Sequence, residues 1–197
     1  QLEPVCRKWD LTRSEVDVLL FLYNHPHYNR AADIVTHRGM AKSHVSLSVT
    51  GLEGRQLLER MYRAYTGKEM PPILTTDRGK PYFAQGSLHF SISHTPHHVF
   101  CALSETPIGI DAEEADRAID LRLAEKILSP TEQAQYAAAP DKRLALLTFW
   151  VLKEAHAKYT GTGLQGYPNR TQFRLDDPRV RQVGGCLVAV IREYEAL

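Results

Sequence analysis

Residues 108–113 read "IGIDAE", and 149–161 read "FWVLKEAHAKYTG". The first is an apolar strand carrying two acids, Asp111 and Glu113. Side chains two residues apart on a strand leave the same face, so these carboxylates share one side while Ile110 and Ala112 point into the core. Two acids that close repel one another unless a cation lies between them. A hard cation such as magnesium takes oxygen ligands and keeps positions for water and substrate phosphate. The bland alternative is a solvated strand face, but the "PIGI" leading in is too apolar for a wholly wet edge.

The second stretch is helical, with Glu154 set one turn before Lys158 on the same face. As a surface pair it contributes a few tenths of a kcal/mol, in the range of about 0.2–0.5 kcal/mol. Beside a two-carboxylate strand it supplies a third acid and a cation suited to a metal-bound pyrophosphate. His94 ends "FSISH" with Ser93 beside it, where the strand breaks into a turn, a usual place for a ligand-facing residue. Four histidines (89, 94, 97 and 98) crowd this region, but their spacing matches no common transition-metal pattern. The "GTG" at 161–163 lacks the Lys-Ser/Thr of a P-loop and reads as a helix stop.

Working outward, strands and helices alternate irregularly, which predicts an α+β domain. "LHFSISHT" (88–95) is a strand, and "HVFCALS" with "PIGIDAE" is expected to form a hairpin across Glu105-Thr106. Ser129 and Pro130 open a helix, "DKRLALLTFWVLKEAHAKYTG" (141–161) is a long one ended by Gly161, and "CLVAVIREY" (186–194) is a last strand. "PPILTTDRGKPYF" (71–83) reads as a loop with a Gly-Lys-Pro turn.

The first 58 residues have another texture. Thr12 and Glu15 stand in capping-box register, with Val16, Leu19, Leu20 and Tyr23 following at helical spacing. "NRAADIVTHRG" (29–39) is a second helix ended by Gly39. "AKSHVSLSVTGLEGRQLLER" (41–60) is a third, with Val45, Val49 and Leu52 on one face. Three helices with a turn at Gly39-Met40 fit a helix-turn-helix. "ADIVTHRGMAKSHVSLSVTGLE" resembles the multiple-antibiotic-resistance regulator family of winged-helix proteins. That resemblance implies DNA contacts for Lys42, Ser43, His44 and Ser46. Against it, "KEMPPILTTDRGKP" (68–81) shows no hairpin pattern for a wing. Nine Lys and Arg against seven Asp and Glu in residues 1–63 also leave little charge for DNA. A helical module kept for packing is the plainer reading.

The 197 residues suffice for a real core, and the net charge of +1 favours neither nucleic acid nor membrane. Three scattered cysteines predict a reducing compartment without disulfides. No apolar run reaches membrane length and residues 1–20 lack signal-peptide character, so a cytoplasmic protein is expected.

Together "RGKPYF" (78–83), "FSISHT" (90–95), "IGIDAE" (108–113) and "WVLKEAHAKYTGTGL" (150–164) resemble the 4'-phosphopantetheinyl transferase family, in the right order and spacing. The likeness covers roughly residues 52–197. It implies a transferase-like α/β domain, bounded at 59–197, behind a helix-turn-helix-like segment at 1–58. It implies magnesium held by Asp111, Glu113 and Glu154, and coenzyme A as substrate. Gly79, Lys80 and Pro81 would border the adenine and 3'-phosphate, and Ser93 and His94 the phosphates. Lys153 and Lys158 would balance the pyrophosphate, with Glu154 as base, and the partner would be an acyl or peptidyl carrier protein. The family's larger type is a pseudo-dimer of two α/β halves, of which residues 1–58 do not resemble the opening. A DNA-binding regulator that senses coenzyme A with the same fold is the alternative.

Overall fold

The computed structural model describes residues 2–163 and 168–193. By contacts it divides into residues 1–74 with 83–86, and residues 75–82 with 87–197. The boundary expected after residue 58 falls inside an unbroken helix, because nothing between Lys42 and Thr66 stops the helix until Gly67 takes the left-handed conformation.

The first unit is helical: α1 Glu3–Trp9, α2 Arg13–Asn24, α3 Ala31–Arg38 and α4 Lys42–Thr66. Thr12 and Glu15 form the capping box that opens α2, the Glu15 N–H donating to Thr12 Oγ1 at 3.2 Å. Gly39, at φ 71°, ends α3. Val18 and Phe21 of α2 pack against Ile34 and Val45, with Val49 and Leu52 alongside. Of the stripe read at helical spacing, Val16 is buried but Tyr23 is 83% exposed. The bundle core falls instead on the neighbouring Val18/Phe21 face.

The chain then forms a two-stranded sheet, β1 Ile73–Thr75 with β2 Pro81–Phe83. This corrects the expectation of a loop without a hairpin. Strands of three residues are too short to show alternation, and the turn is set by Gly79 at φ 84°, whose N–H reaches Thr76 O.

The second unit holds β3 His89–His94, β4 Val99–Ser104, β5 Ile108–Glu114, α5 Leu123–Ile127, α6 Pro130–Ala138, α7 Lys142–Thr160, β6 Val180–Val183 and β7 Cys186–Arg192. The hairpin expected between β4 and β5 is not formed. β4 pairs antiparallel with β3, and β5 pairs with β7 in a three-stranded sheet of order β5-β7-β6. The reason is local: Pro107 has no N–H to donate. Thr106 N donates instead to Ser104 Oγ, so the chain turns out of the β3–β4 pair.

Alternate residues of β7 face opposite sides. Leu187, Ala189 and Ile191 meet Leu147, Phe149, Val151 and Leu152 of α7, while Cys186 and Val188 join Ala102, Ile110 and Ala112. Burying each such large side chain contributes about 1.5–3 kcal/mol. α7 begins at Asp141, whose carboxylate accepts the Leu144 N–H, and ends at Gly161. It lies on β5 at Gly109, where any Cβ would collide with Ala155 O and the backbone of Tyr159. That close approach brings the end of α7 to the acidic face of β5. Among the described residues no helix is long and apolar enough to cross a membrane.

Candidate active site

Asp111 is the centre of the arrangement. Its Oδ1 accepts from Ser93 Oγ at 2.9 Å and from Lys158 Nζ at 2.8 Å. Its Oδ2 is buried and has no hydrogen-bond partner. Lys158 also donates to Ile92 O at 3.3 Å, so α7 is tied to both β3 and β5. One turn earlier on α7, Glu154 lines a cavity of about 270 Å³ together with Arg78, Gly79, Lys80, Pro81 and Lys158.

Burial pushes the Glu154 carboxyl above the usual carboxylate range. The negative charge of Asp111 pushes the same way, Lys158 opposes it, and Glu113 adds to it. Glu113 is ion-paired with Arg117. Lys80 Nζ donates to Tyr159 O at 2.5 Å in the last turn of α7, its stem lying against Gly161. Burial lowers the Lys80 amine from its ordinary value.

Of the residues singled out in the sequence, Asp111, Ser93 and Lys158 are in direct contact. Glu154, Gly79, Lys80 and Pro81 line the cavity beside them. Ser93 points its hydroxyl inward at Asp111 and is 4% exposed. His94 is exposed at the last position of β3, outside the residues lining the cavity.

Lys153 is not at the site. Its Nζ lies 2.8 Å from Glu132 Oε2 and donates to Thr171 O at 2.9 Å. Consecutive helix positions point about 100° apart, and Lys153 falls on the side of α7 that meets Glu132 and Thr171. Burial lowers the Lys153 amine from its ordinary value, while the bond to Glu132 raises it.

Sequence reasoning missed three residues: Glu132, Arg117 and Ser91. Glu132 carried a signal, since it stands three residues after Ser129 in capping-box register, and both halves of that box form. Arg117 lies four residues after Glu113 but beyond the strand's end, where strand periodicity says nothing. Ser91 accepts the Ile110 N–H at 3.1 Å, and only its two-residue spacing from Ser93 hinted at a shared face.

The donor chemistry suits a hard divalent cation: carboxylate oxygens, one of them buried and unpartnered. Among the described residues, no group of three or more His, Cys, Asp or Glu stands close enough to hold a metal as arranged, Glu113 being turned to Arg117.

Residues 107–188 match the family model of the 4'-phosphopantetheinyl transferase superfamily. Over that stretch the chain is similar to the 4'-phosphopantetheinyl transferase superfamily. It is 39% identical over 118 residues to the 4'-phosphopantetheinyl transferase psf-1 of Bacillus pumilus, covering 57% of this chain and 50% of that one. A 4'-phosphopantetheinyl transferase of Bacillus subtilis is 35% identical over 124 residues, 60% of this chain and 55% of its own. The 4'-phosphopantetheinyl transferase HetI of Nostoc sp. is 35% identical over 122 residues, 56% and 51% of the two chains. The chain spans about half the length of the curated relatives it matches. Among solved structures, a holo-acyl-carrier-protein synthase of Thermotoga maritima overlaps at a TM-score of 0.37 and 22% identity, over 43% of this chain and 61% of that one. The superfamily match includes all of β5 and α7, and leaves residues 1–106 outside it.

Proposed function

We propose that this protein transfers 4'-phosphopantetheine from coenzyme A to a serine of an acyl or peptidyl carrier protein. The observation that supports it most is the half-satisfied carboxylate: Asp111 has one oxygen held by Ser93 and Lys158 and the other buried bare, beside a cavity lined by Glu154. In the reaction the serine oxygen forms a bond to the β-phosphorus. The bond from that phosphorus to the bridging oxygen breaks, and adenosine 3',5'-bisphosphate leaves with the electron pair. Glu154, which lines the cavity, accepts the serine proton. Lys158 places a cation where negative charge gathers on the leaving group.

Asp111, Glu113 and Glu154 would hold magnesium, Glu113 exchanging Arg117 for the ion. When bound, magnesium supplies charge neutralisation on the pyrophosphate. Gly79, Lys80 and Pro81 would border the nucleotide end of coenzyme A, in the cavity they line with Glu154. His94, exposed at the strand end, would meet phosphate from outside that cavity.

Incubation with coenzyme A, magnesium and an apo-carrier protein, read by intact mass, tests the reading. The carrier should gain one phosphopantetheine; no gain with any carrier would overturn it.

One observation favours the DNA reading of the helical unit: Lys42, Ser43, His44 and Ser46 are all exposed at the start of α4, three residues after α3 ends. If they bind a duplex, Lys42→Ala should reduce the slope of log affinity against log salt by about one unit. With so little net positive charge, we expect no salt-dependent DNA binding, and a packing role for the unit.

A further inference from the structure

β3 and β5 run side by side but belong to different sheets, and no backbone ladder joins them among the described residues. Two serine hydroxyls of β3 take the place of ladder carbonyls. Ser91 Oγ accepts the Ile110 N–H and Ser93 Oγ accepts the Ala112 N–H, each at 3.1 Å. Both hydroxyls are buried, and both strap the same pair of strands.

They differ in one respect. Ser93 also donates its proton to Asp111 Oδ1, at 2.9 Å. A hydroxyl has a single proton to give, so the Ser93 donor is committed to the carboxylate rather than to a phosphate. With Lys158 on the same oxygen, Oδ1 has two donors and Oδ2 none.

We infer that Ser93 is a positioning residue: it fixes the rotation of the Asp111 carboxylate so that Oδ2 is the oxygen presented to a divalent cation. This rests on the metal-binding reading above. Partners that orient a metal ligand commonly change metal affinity by about 10–100-fold when removed.

The test titrates the full chain with manganese(II), a spin-active stand-in for magnesium, and reads the free ion by electron paramagnetic resonance. Ser91→Ala loses a strap but no bond to Asp111, and should keep the parental manganese affinity. Ser93→Ala loses the equivalent strap and the hold on Asp111, and should bind manganese about tenfold or more weakly. Should Ser93→Ala not fold, Ser93→Cys is read instead, since a thiol keeps the volume and is a weak donor. Equal affinity in the parent and the Ser93 variant would overturn the inference and leave the proposed activity standing. Equal weakening by both alanine variants would also overturn it, assigning the effect to the strap. A parent that binds no manganese would remove the metal reading itself, which the carrier-protein assay checks separately.

Discussion

α7 carries two lysine–carboxylate pairs, five residues apart, and they are built differently. Lys153 and Glu132 have side chains 2% and 0% exposed, and every oxygen of Glu132 is used. Its Oε1 accepts the Phe173 N–H, and its Oε2 accepts from Ser129 N and Lys153 Nζ. Lys158 and Asp111 are 32% and 8% exposed, and one oxygen of Asp111 is bare. A buried charge that has found all its partners holds elements together; one left half-satisfied has room for a ligand. The first pair fastens α6 and the segment around Phe173 to α7, and the second sits at the cavity.

The comparison is broken most forcefully at the satisfied pair. Glu132→Ala takes from buried Lys153 the carboxylate 2.8 Å away and removes one half of the α6 capping box. It should cost about 3–5 kcal/mol of stability in urea unfolding. Replacing both partners with apolar residues, Glu132→Leu with Lys153→Met, should recover only the part of that loss due to the lone buried charge, since the Ser129 and Phe173 N–H groups still lack their acceptors. If Glu132→Ala unfolds at the parental urea concentration, the pair is not structural.

At the other pair the loss should appear in rate. Lys158→Ala removes one donor from the region of leaving-group charge, and should slow transfer about 100-fold, or roughly 2.7 kcal/mol. Its stability should fall by about 1 kcal/mol or less, because the lysine is one-third exposed and its charge is screened by water. A melting point that drops as far as that of Glu132→Ala would erase the distinction between the two pairs.

The smallest effect is a pH dependence at Glu154. Its folded carboxyl lies above the ordinary value of 4.5. Between those two values the folded state holds a proton that the unfolded chain has lost, so stability falls as pH rises through that window. Glu154→Gln removes the penalty. Without divalent ions it should melt at or above the parent at pH 7, and the two melting curves should converge below pH 4.5. A variant less stable than the parent at pH 7 would contradict the raised carboxyl.

What the sequence displayed was local. Asp111 and Glu113 declared a shared face by spacing, Asp141 and Gly161 bracketed α7, and Glu154 stood one turn from Lys158. Pairing across the fold was less legible. Pro107, opening "PIGIDAE", argued against a β4–β5 ladder, but nothing local said that β5 would pair with β7, which lies over seventy residues on. β6 went unread because "VRQV" is only four residues long and mostly exposed, though Gly184-Gly185 after it marks the turn into β7. Lys153 was grouped with Glu154 because they adjoin in sequence, although adjacent helix positions diverge. The motif around Ser93 points to phosphate, whereas its hydroxyl turns inward to Asp111, a contact across two strands that spacing does not reveal.

The most direct test of the central claim is the rate of phosphopantetheine transfer per folded molecule in Asp111→Asn, followed by intact mass of the carrier protein. Asparagine keeps the side chain's shape and can still accept from Ser93, but it gives up the carboxylate charge. The account predicts a variant that melts close to the parent and transfers at least about 100-fold more slowly. Transfer at the parental rate would show that the half-satisfied carboxylate is not the site.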